Sequence, residues 1–247
     1  MNYDIDYKES SHRYKLDGIP APGCTTITGI LPKDWMPGWV AKEVVSAVLA
    51  SFNGGLTKEQ EAKIIECKKS WRVRAATAAD HGTRAHSCFE QWILNRKLPE
   101  ATESKEVLNA FTLFLRFTEE NEIEWLENEV VVGSKEFMFC GKFDATAKVN
   151  GKVTLIDFKT SSDIFAEHYY QTAGYQLAYA EMEKKPGIEQ RMILWVPKTG
   201  NEFKAEIVPT PYEMDRLLFL SALELYKRLG ESERLLKELK PEKFKWK

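Results

Sequence analysis

The chain has 247 residues, of which 43% are hydrophobic and 29% charged, and its formal net charge is −2. These proportions are typical of a folded globular protein and exclude a disordered or collagen-like chain. The length allows one large domain or two small ones. Because the charge is nearly balanced, any nucleic-acid binding has to use a local basic groove rather than the whole surface.

The four cysteines, at positions 24, 67, 88 and 140, include no C-x-x-C pair. This spacing argues against a structural zinc site and against a disulfide scaffold. The N-terminal sequence MNYDIDYKES is polar, unlike a signal peptide. No apolar run approaches the roughly 18 residues that span a membrane. We therefore expect a cytoplasmic protein with reduced cysteines and no membrane partner.

The predicted elements change character along the chain. Residues 1–35 look like short strands and turns, and they include the β-branched run TTITGIL. Helical patterns then cover three stretches. The first is 36–53, the second begins at the capping-box pair Thr57 and Gln60 and continues to about 96, and the third is 103–120. Strand patterns and two further helices complete the chain: strands at 123–132, 137–149, 152–160, 189–196 and 202–208, and helices at about 163–184 and from Pro211 to about 229.

This order predicts an α/β fold with a mixed central β-sheet flanked by helices, on which an N-terminal, mainly helical region packs. We expect a single domain over residues 1–247. Within it, 1–80 is an accessory region, 81–229 the core and 230–247 a basic tail.

A tight hairpin places two aspartates opposite each other. Asn150-Gly151 between two strand patterns is a strong signal for a two-residue turn. In the register that this turn fixes, Asp144 faces Asp157, with Cβ atoms about 4.5–5.5 Å apart. Two carboxylates at that distance repel each other, and a divalent cation that prefers oxygen ligands would relieve the repulsion. Lys159 lies two residues beyond Asp157 and therefore shares its face.

The opposite face of this hairpin is predicted to be core and carries Phe143, Ala145, Ala147, Val149, Ile156 and Phe158. A carboxylate pair beside an ammonium group is what metal-assisted phosphodiester hydrolysis requires. The alternative is that the two aspartates are simply solvated. A slipped register or a β-bulge would also separate them.

Two flanking helices carry further polar residues at helical spacing. Gly82, His86 and Glu90 are four residues apart and lie close to one helix face. Glycine inside a helix often marks the close approach of another group. Gln171 and Tyr175 are one turn apart on a later helix. Each pattern alone is also typical of an ordinary amphipathic helix, and a lone helical histidine is more often structural than a ligand.

Together these motifs resemble the RecB-type branch of the PD-(D/E)XK nuclease superfamily. They are, in order, Gly82–His86–Glu90, Gly141–Asp144, Asp157–Phe158–Lys159 and Gln171–Tyr175. The opening segment HRYKLDGIPAPGCTTITGIL also resembles small phage exonucleases and the mitochondrial genome maintenance exonuclease, although the proline-serine-valine-threonine run of those relatives is missing. The resemblance implies a restriction-endonuclease-like core and a metal-dependent nuclease.

The resemblance also implies the ligands of one or two Mg²⁺ or Mn²⁺ ions: His86, Asp144, Asp157 and the backbone carbonyl of Phe158. An imidazole ligand favours Mn²⁺. Glu129 is a further acidic candidate, although its Glu-rich surroundings favour a solvated segment. Relatives with an iron–sulfur cluster bind it with three cysteines near the C-terminus. This chain has no cysteine after position 140, so we expect no iron–sulfur cluster.

The remaining motif residues receive supporting roles from the same resemblance. Lys159 would position or activate the attacking water. Gln171 and Tyr175 would hold that lysine, the water or the scissile phosphate. Glu90 would support His86 from behind.

Two segments could contact DNA through local positive charge. Residues 63–74 have a net charge of +4 and include Trp71, Arg72 and Arg74. Basic residues interleaved with an aromatic side chain suit a single strand, although a core tryptophan on a solvated basic helix is the alternative. Residues 227–247 also have a net charge of +4. Three residues beside the predicted metal site are better placed to contact a phosphate: Lys142, Thr160 and Ser161.

We therefore predict a divalent-metal-dependent DNA exonuclease that acts on DNA ends or single strands in recombination, repair or phage DNA metabolism. An annealing or recombination protein is a candidate partner. The alternatives are a structure-selective endonuclease with the same core, a catalytically silent nucleic-acid-binding relative, and a globular protein whose acidic pair is incidental. The sequence leaves open the polarity of digestion, the preference for single or double strands, DNA against RNA and the oligomeric state.

Overall fold

A computed structural model describes residues 3–32, 35–51, 59, 70–183 and 187–239. The predicted capping pair Thr57 and Gln60 and most of the basic segment 63–74 lie outside the described residues. None of the helices within the described ranges is long and apolar enough to cross a membrane.

The strands of the described residues form two sheets. The small N-terminal sheet is antiparallel in the order β1 (Ile5–Lys8), β2 (Arg13–Leu16), β3 (Ile19–Ala21). The main sheet has the order β4 (Ile123–Ser134), β5 (Phe139–Val149), β6 (Lys152–Lys159), β7 (Gln190–Trp195), β8 (Lys204–Ile207). In it β6 and β7 run parallel and the other neighbours antiparallel, so the sheet is mixed, as predicted.

Six helices are described, together with a 3₁₀ turn at Glu9–Ser11. They are α1 (Cys24–Thr28), α2 (Trp35–Ser51), α3 (Ser70–Asn95), α4 (Lys105–Glu120), α5 (Ala166–Glu181) and α6 (Tyr212–Leu239). The prediction that the last helix ends near 229 is wrong, because α6 continues into the predicted tail. A single glycine, Gly230, costs only about 1 kcal/mol in a helix, and the strong helix formers around it outweigh that cost.

The segment TTITGIL, read from its β-branched residues as extended, instead contains α1. Thr28 Oγ1 donates a hydrogen bond to the carbonyl of Cys24, one turn earlier in the same helix, at 3.2 Å. Cys24 and Ile27 are buried in the core. Tertiary burial therefore overrides the weak local preference for a strand.

The main sheet is buried on both faces. One cluster lies between the sheet and helices α3 and α4 and includes Phe89, Phe114, Phe117, Ala145, Ile156 and Phe158. The other lies between the opposite face and helices α1, α5 and α6 and includes Ile27, Phe143, Leu155, Tyr175, Tyr179 and Phe219. Gly174 lets α6 approach α5 closely, because a Cβ there would lie 2.6 Å from the ring of Phe219. A third, smaller cluster joins the N-terminal sheet to β5 through Leu16 and Cys140.

The β5–β6 hairpin has the predicted turn and register. Asn150 and Gly151 have φ values of 50° and 83°, the positive values that a type I′ turn requires. Ala145 to Val149 pair with Ile156 to Lys152 in the predicted register, and the ladder ends at Ala145 and Ile156. Asp144 and Asp157 therefore lie one residue beyond the last pair rather than within it.

The expectation that Phe143 and Ala145 share a core face is wrong. Phe143 packs near Tyr175 in one cluster, while Ala145 lies in the other. On the neighbouring strand, Glu129 has a φ of 53°, which interrupts the pleat at this level. The regular alternation of side chains is therefore broken beside Asp144.

Candidate active site

An open cleft of about 640 Å³ lies where α1, α3 and α5 meet the ends of β5 and β6. It brings together most of the residues that the sequence motifs single out. Its lining includes Gly82, His86, Glu90, Gly141, Asp144, Asp157, Lys159, Gln171 and Tyr175. The N-terminal sheet closes one side of the cleft with Tyr7 and Tyr14.

His86 of α3 and Asp144 of β5 form a direct contact, with Nδ1 2.9 Å from Oδ1. The second carboxylate oxygen, Oδ2, accepts the backbone N–H of Phe158 at 2.6 Å. Burial lowers the pKa of His86, but the Asp144 carboxylate raises it by more, so the pKa lies above its ordinary value. Burial raises the pKa of Asp144, but His86 and Lys159 outweigh burial and the pKa is lowered. Asp144 is therefore held in its charged form.

Asp157 is only 3% exposed and lies beside Lys159. Lys159 Nζ is 2.5 Å from Oδ2 of Asp157, yet this buried oxygen has no aligned hydrogen bond. Burial raises the pKa of Asp157, Lys159 lowers it in part, and the Asp144 charge raises it further, so the net shift is upward. The environments of the two aspartates thus push their pKa values in opposite directions.

A chain of hydrogen bonds extends from Lys159 to α5 and α1. Lys159 Nζ donates to Gln171 Oε1 at 3.3 Å. Gln171 Nε2 in turn lies 2.6 Å from the hydroxyl oxygen of Tyr175 and 2.8 Å from Oγ1 of Thr25. Burial, followed by the Asp157 charge, raises the pKa of Tyr175 far above its ordinary value, so its phenol stays protonated. Thr25 escaped the sequence analysis because 146 residues separate it from Gln171 and its segment was read as extended.

Two motif glycines mark close approaches around this chain. A Cβ at Gly141 would lie 2.6 Å from the ring of Tyr175 and 2.8 Å from Sγ of Cys24. A Cβ at Gly82 would lie 3.1 Å from Oγ1 of Thr160. The expectation that Gly82 marks a close approach is therefore met, and Thr160 stands at the edge of the site.

Lys142 does not lie opposite Lys159, because the β5–β6 ladder ends earlier and Lys142 pairs with Val131 of β4. Its ammonium contacts the carboxylate of Glu129 and lies 3.3 Å from Glu9 Oε1. Burial raises the pKa of Glu129, and Lys142 offsets the shift only in part. Glu129 lines the cleft rather than a solvated segment, so the sequence analysis underestimated it.

The predicted DNA-contacting residues of α3 lie away from the cleft. Arg74 precedes His86 by 12 residues, or about 18 Å along the helix. It pairs with Glu43 of α2 at 2.7 Å. Arg72, two residues earlier, is exposed, and the side chain of Trp71 is outside the described residues. Ser161, beyond β6, donates its hydroxyl to the carbonyl of Asp163 at 2.8 Å.

The donor atoms of the cleft are engaged with one another. Across the described ranges, no group of three or more His, Cys, Asp and Glu is arranged to hold a metal ion. The imidazole of His86 is taken by Asp144, and Lys159 lies against Asp157. The buried Oδ2 of Asp157 contacts the Lys159 ammonium without an aligned hydrogen bond, and carboxylate oxygens with one imidazole suit Mg²⁺ or Mn²⁺. The residues present therefore fit a divalent ion, which Asp144, Asp157 and His86 would hold.

The comparison with protein families decides the assignment. The model of the PD-(D/E)XK nuclease superfamily matches residues 47–243. The chain belongs to this superfamily. The predicted restriction-endonuclease-like core is thereby confirmed, with the mixed five-stranded sheet flanked by helices. Membership indicates a metal-dependent nuclease with a nucleic-acid substrate.

Further comparisons add little to the family assignment. Among solved structures, the chain is similar to the crystal structure of SSO0001 at 16% sequence identity and a TM-score of 0.33. The similarity covers 77% of this chain and 86% of that one. The curated proteins contain no match.

Proposed function

We propose that this PD-(D/E)XK protein is a divalent-metal-dependent DNA exonuclease of the RecB-type branch. The observation that supports it most is the convergence of Asp144, Asp157 and Lys159 in one open cleft. An acidic pair beside a lysine is the donor set that metal-assisted phosphodiester hydrolysis uses.

In this proposal Asp144, Asp157, His86 and the carbonyl of Phe158 hold Mg²⁺ or Mn²⁺. When bound, the ion polarises the scissile phosphate and lowers the pKa of a bound water. The two carboxylates would balance the charge of the ion. The N–H of Phe158 and the imidazole of His86 hold the Asp144 carboxylate in its orientation. Glu90, one turn beyond His86 on α3, supports the imidazole.

Lys159 is the residue that handles the attacking water. Its ammonium group lies between Asp157 and the side-chain oxygen of Gln171, which orients it. The hydroxyl of Tyr175 accepts a hydrogen bond from the NH₂ group of Gln171 and stays protonated, so it does not compete as a base. Thr160 at the cleft edge contacts the phosphate together with Ser161.

Action on DNA ends or single strands is supported by the N-terminal sheet, which closes one side of the otherwise open cleft. Tyr7 and Tyr14 of that sheet line this side of the cleft. In this proposal a free end enters the cleft and reaches Asp157 without displacing the N-terminal sheet. The basic residues Arg72 and Arg74 would then guide the strand at a distance.

The test is a time course on end-labelled single-stranded, duplex and closed-circular DNA with Mg²⁺, Mn²⁺ or EDTA. Asp157→Asn and Lys159→Ala are compared with Lys152→Ala, which removes an exposed lysine from the same strand. We expect metal-dependent loss of linear DNA, with the closed circle intact. Loss of a group that handles protons typically slows such a reaction about 10²- to 10⁴-fold.

Each other outcome contradicts a defined part of the proposal. Cleavage of the closed circle would identify an endonuclease with the same core. Binding of single strands without cleavage under any condition would identify a silent relative. Equal loss of activity in Lys152→Ala would mean that the loss reflects charge or folding and not the site.

A further inference from the structure

We propose that Thr25, in the N-terminal segment outside the family match, is a positioning residue that fixes the side-chain amide of Gln171 so that its oxygen faces Lys159. The inference rests on the proposed nuclease function. The matched region begins at residue 47, so it does not include this threonine. The N-terminal segment then belongs to the working site and is more than an accessory wall.

The amide of Gln171 has to choose between two orientations. A lysine ammonium can only donate hydrogen bonds, so Gln171 must present its oxygen, and the contact between Nζ and Oε1 is 3.3 Å. The NH₂ group then points away from Lys159 and needs acceptors. Two hydroxyl oxygens supply them, that of Tyr175 at 2.6 Å and that of Thr25 at 2.8 Å.

Of the two acceptors, Thr25 is the one that can be substituted with little change to the core, since Tyr175 is buried and Thr25 is exposed. Without the Thr25 hydroxyl, Tyr175 is the single hydroxyl left for the NH₂ group. The amide could then turn and direct NH₂ toward the ammonium of Lys159, which repels it. Because Thr25 is exposed, water replaces its hydroxyl in part, and we expect a moderate effect.

Thr25→Val removes the hydroxyl and keeps the shape, whereas Thr25→Ser keeps the hydroxyl. We expect Thr25→Val to lower kcat about 3- to 10-fold with KM unchanged, as for the loss of one neutral hydrogen bond, and Thr25→Ser to restore kcat. Thr28→Val is the matched control, because it removes a hydroxyl of the same helix that bonds only backbone carbonyls. Equal loss in Thr28→Val, or no rescue by serine, would overturn the inference.

A second measurement separates this inference from the proposed function. The side-chain NH₂ signals of Gln171 are assigned by NMR from their loss in Gln171→Glu. We expect their exchange with water to be slow in the wild type and in Thr25→Ser, and faster in Thr25→Val. If the wild type cleaves no DNA, the nuclease proposal fails while this result still decides the role of Thr25. Unchanged exchange in Thr25→Val would refute the inference even if the enzyme is active.

Discussion

Gly141 of β5 lies directly under the ring of Tyr175 of α5, so that a Cβ at this position would be 2.6 Å from the ring. Tyr175 in turn is bonded to Gln171, which contacts Lys159. Gly141 therefore bears on the position of Lys159, on the next strand, through the side chains of Tyr175 and Gln171.

Gly141→Ala is expected to impair both folding and activity. The ring of Tyr175 has to move, and overpacking of this kind typically costs about 1–3 kcal/mol of stability. Thermal unfolding and the cleavage rate measure the two effects. Gly38→Ala on α2 is the control, since nothing lies within 4 Å of its Cβ and alanine favours a helix. A Gly141→Ala protein with unchanged activity would contradict the close packing.

His86→Ala is expected to weaken metal binding. It removes the imidazole that contacts Asp144, and loss of a hydrogen-bond partner of a metal ligand typically lowers metal affinity about 10- to 100-fold. The Mn²⁺ concentration for half-maximal cleavage should rise accordingly. His81→Ala, five residues earlier on the same helix, should leave it unchanged. An equal shift in both variants would argue against His86 as a ligand.

Added Mn²⁺ is expected to raise the melting temperature, because an ion that binds only the folded state stabilises it. At 100 times the dissociation constant the gain is about 2.7 kcal/mol, or about 5–10 °C for a chain of this size. The shift should disappear in Asp157→Asn and on addition of EDTA. Differential scanning fluorimetry measures it without any nucleic acid. A shift that persists in Asp157→Asn would place the ion elsewhere.

A buried ion pair that does not line the cleft supports the fold. Arg191 of β7 lies 2.9 Å from Asp215 of α6, and their side chains are 4% and 0% exposed. Asp215→Ala leaves an uncompensated buried charge, which typically costs about 3–5 kcal/mol. Urea unfolding should show this loss. Glu213→Ala on the same turn breaks an exposed pair with Arg216 and should leave the urea midpoint unchanged.

Local sequence signals predicted the hairpin well because its determinants are local. Asn150-Gly151 fixes the turn, and the register of Ala145 to Val149 follows from it. The position of Asp144 could not be deduced in the same way, since it depends on an irregularity at Glu129 of the neighbouring strand. The strands therefore have the predicted register, but Asp144 and Asp157 lie one residue beyond the last pair and do not pair with each other.

The N-terminal contribution to the site depends on contacts between distant parts of the chain. The β-branched residues of α1 suggested an extended segment, and burial of Cys24 and Ile27 decided otherwise. Thr25 reaches Gln171 across 146 residues, a distance that no local pattern encodes. The structure brings most of the motif residues together, and the roles of all of them, including Glu90 and Ser161, stay predictions.

The packing of Phe219 of α6 against Gly174 of α5 has a consequence for protein synthesis. The helix that carries Gln171 and Tyr175 is supported by a residue that the ribosome adds much later. A nascent chain that does not yet include Phe219 lacks this support for the helix that carries Gln171, the residue that contacts Lys159. We expect a chain stopped at residue 211 to show no cleavage in the same time course, which means that an unfinished copy would not act on nucleic acid before its last helix is made.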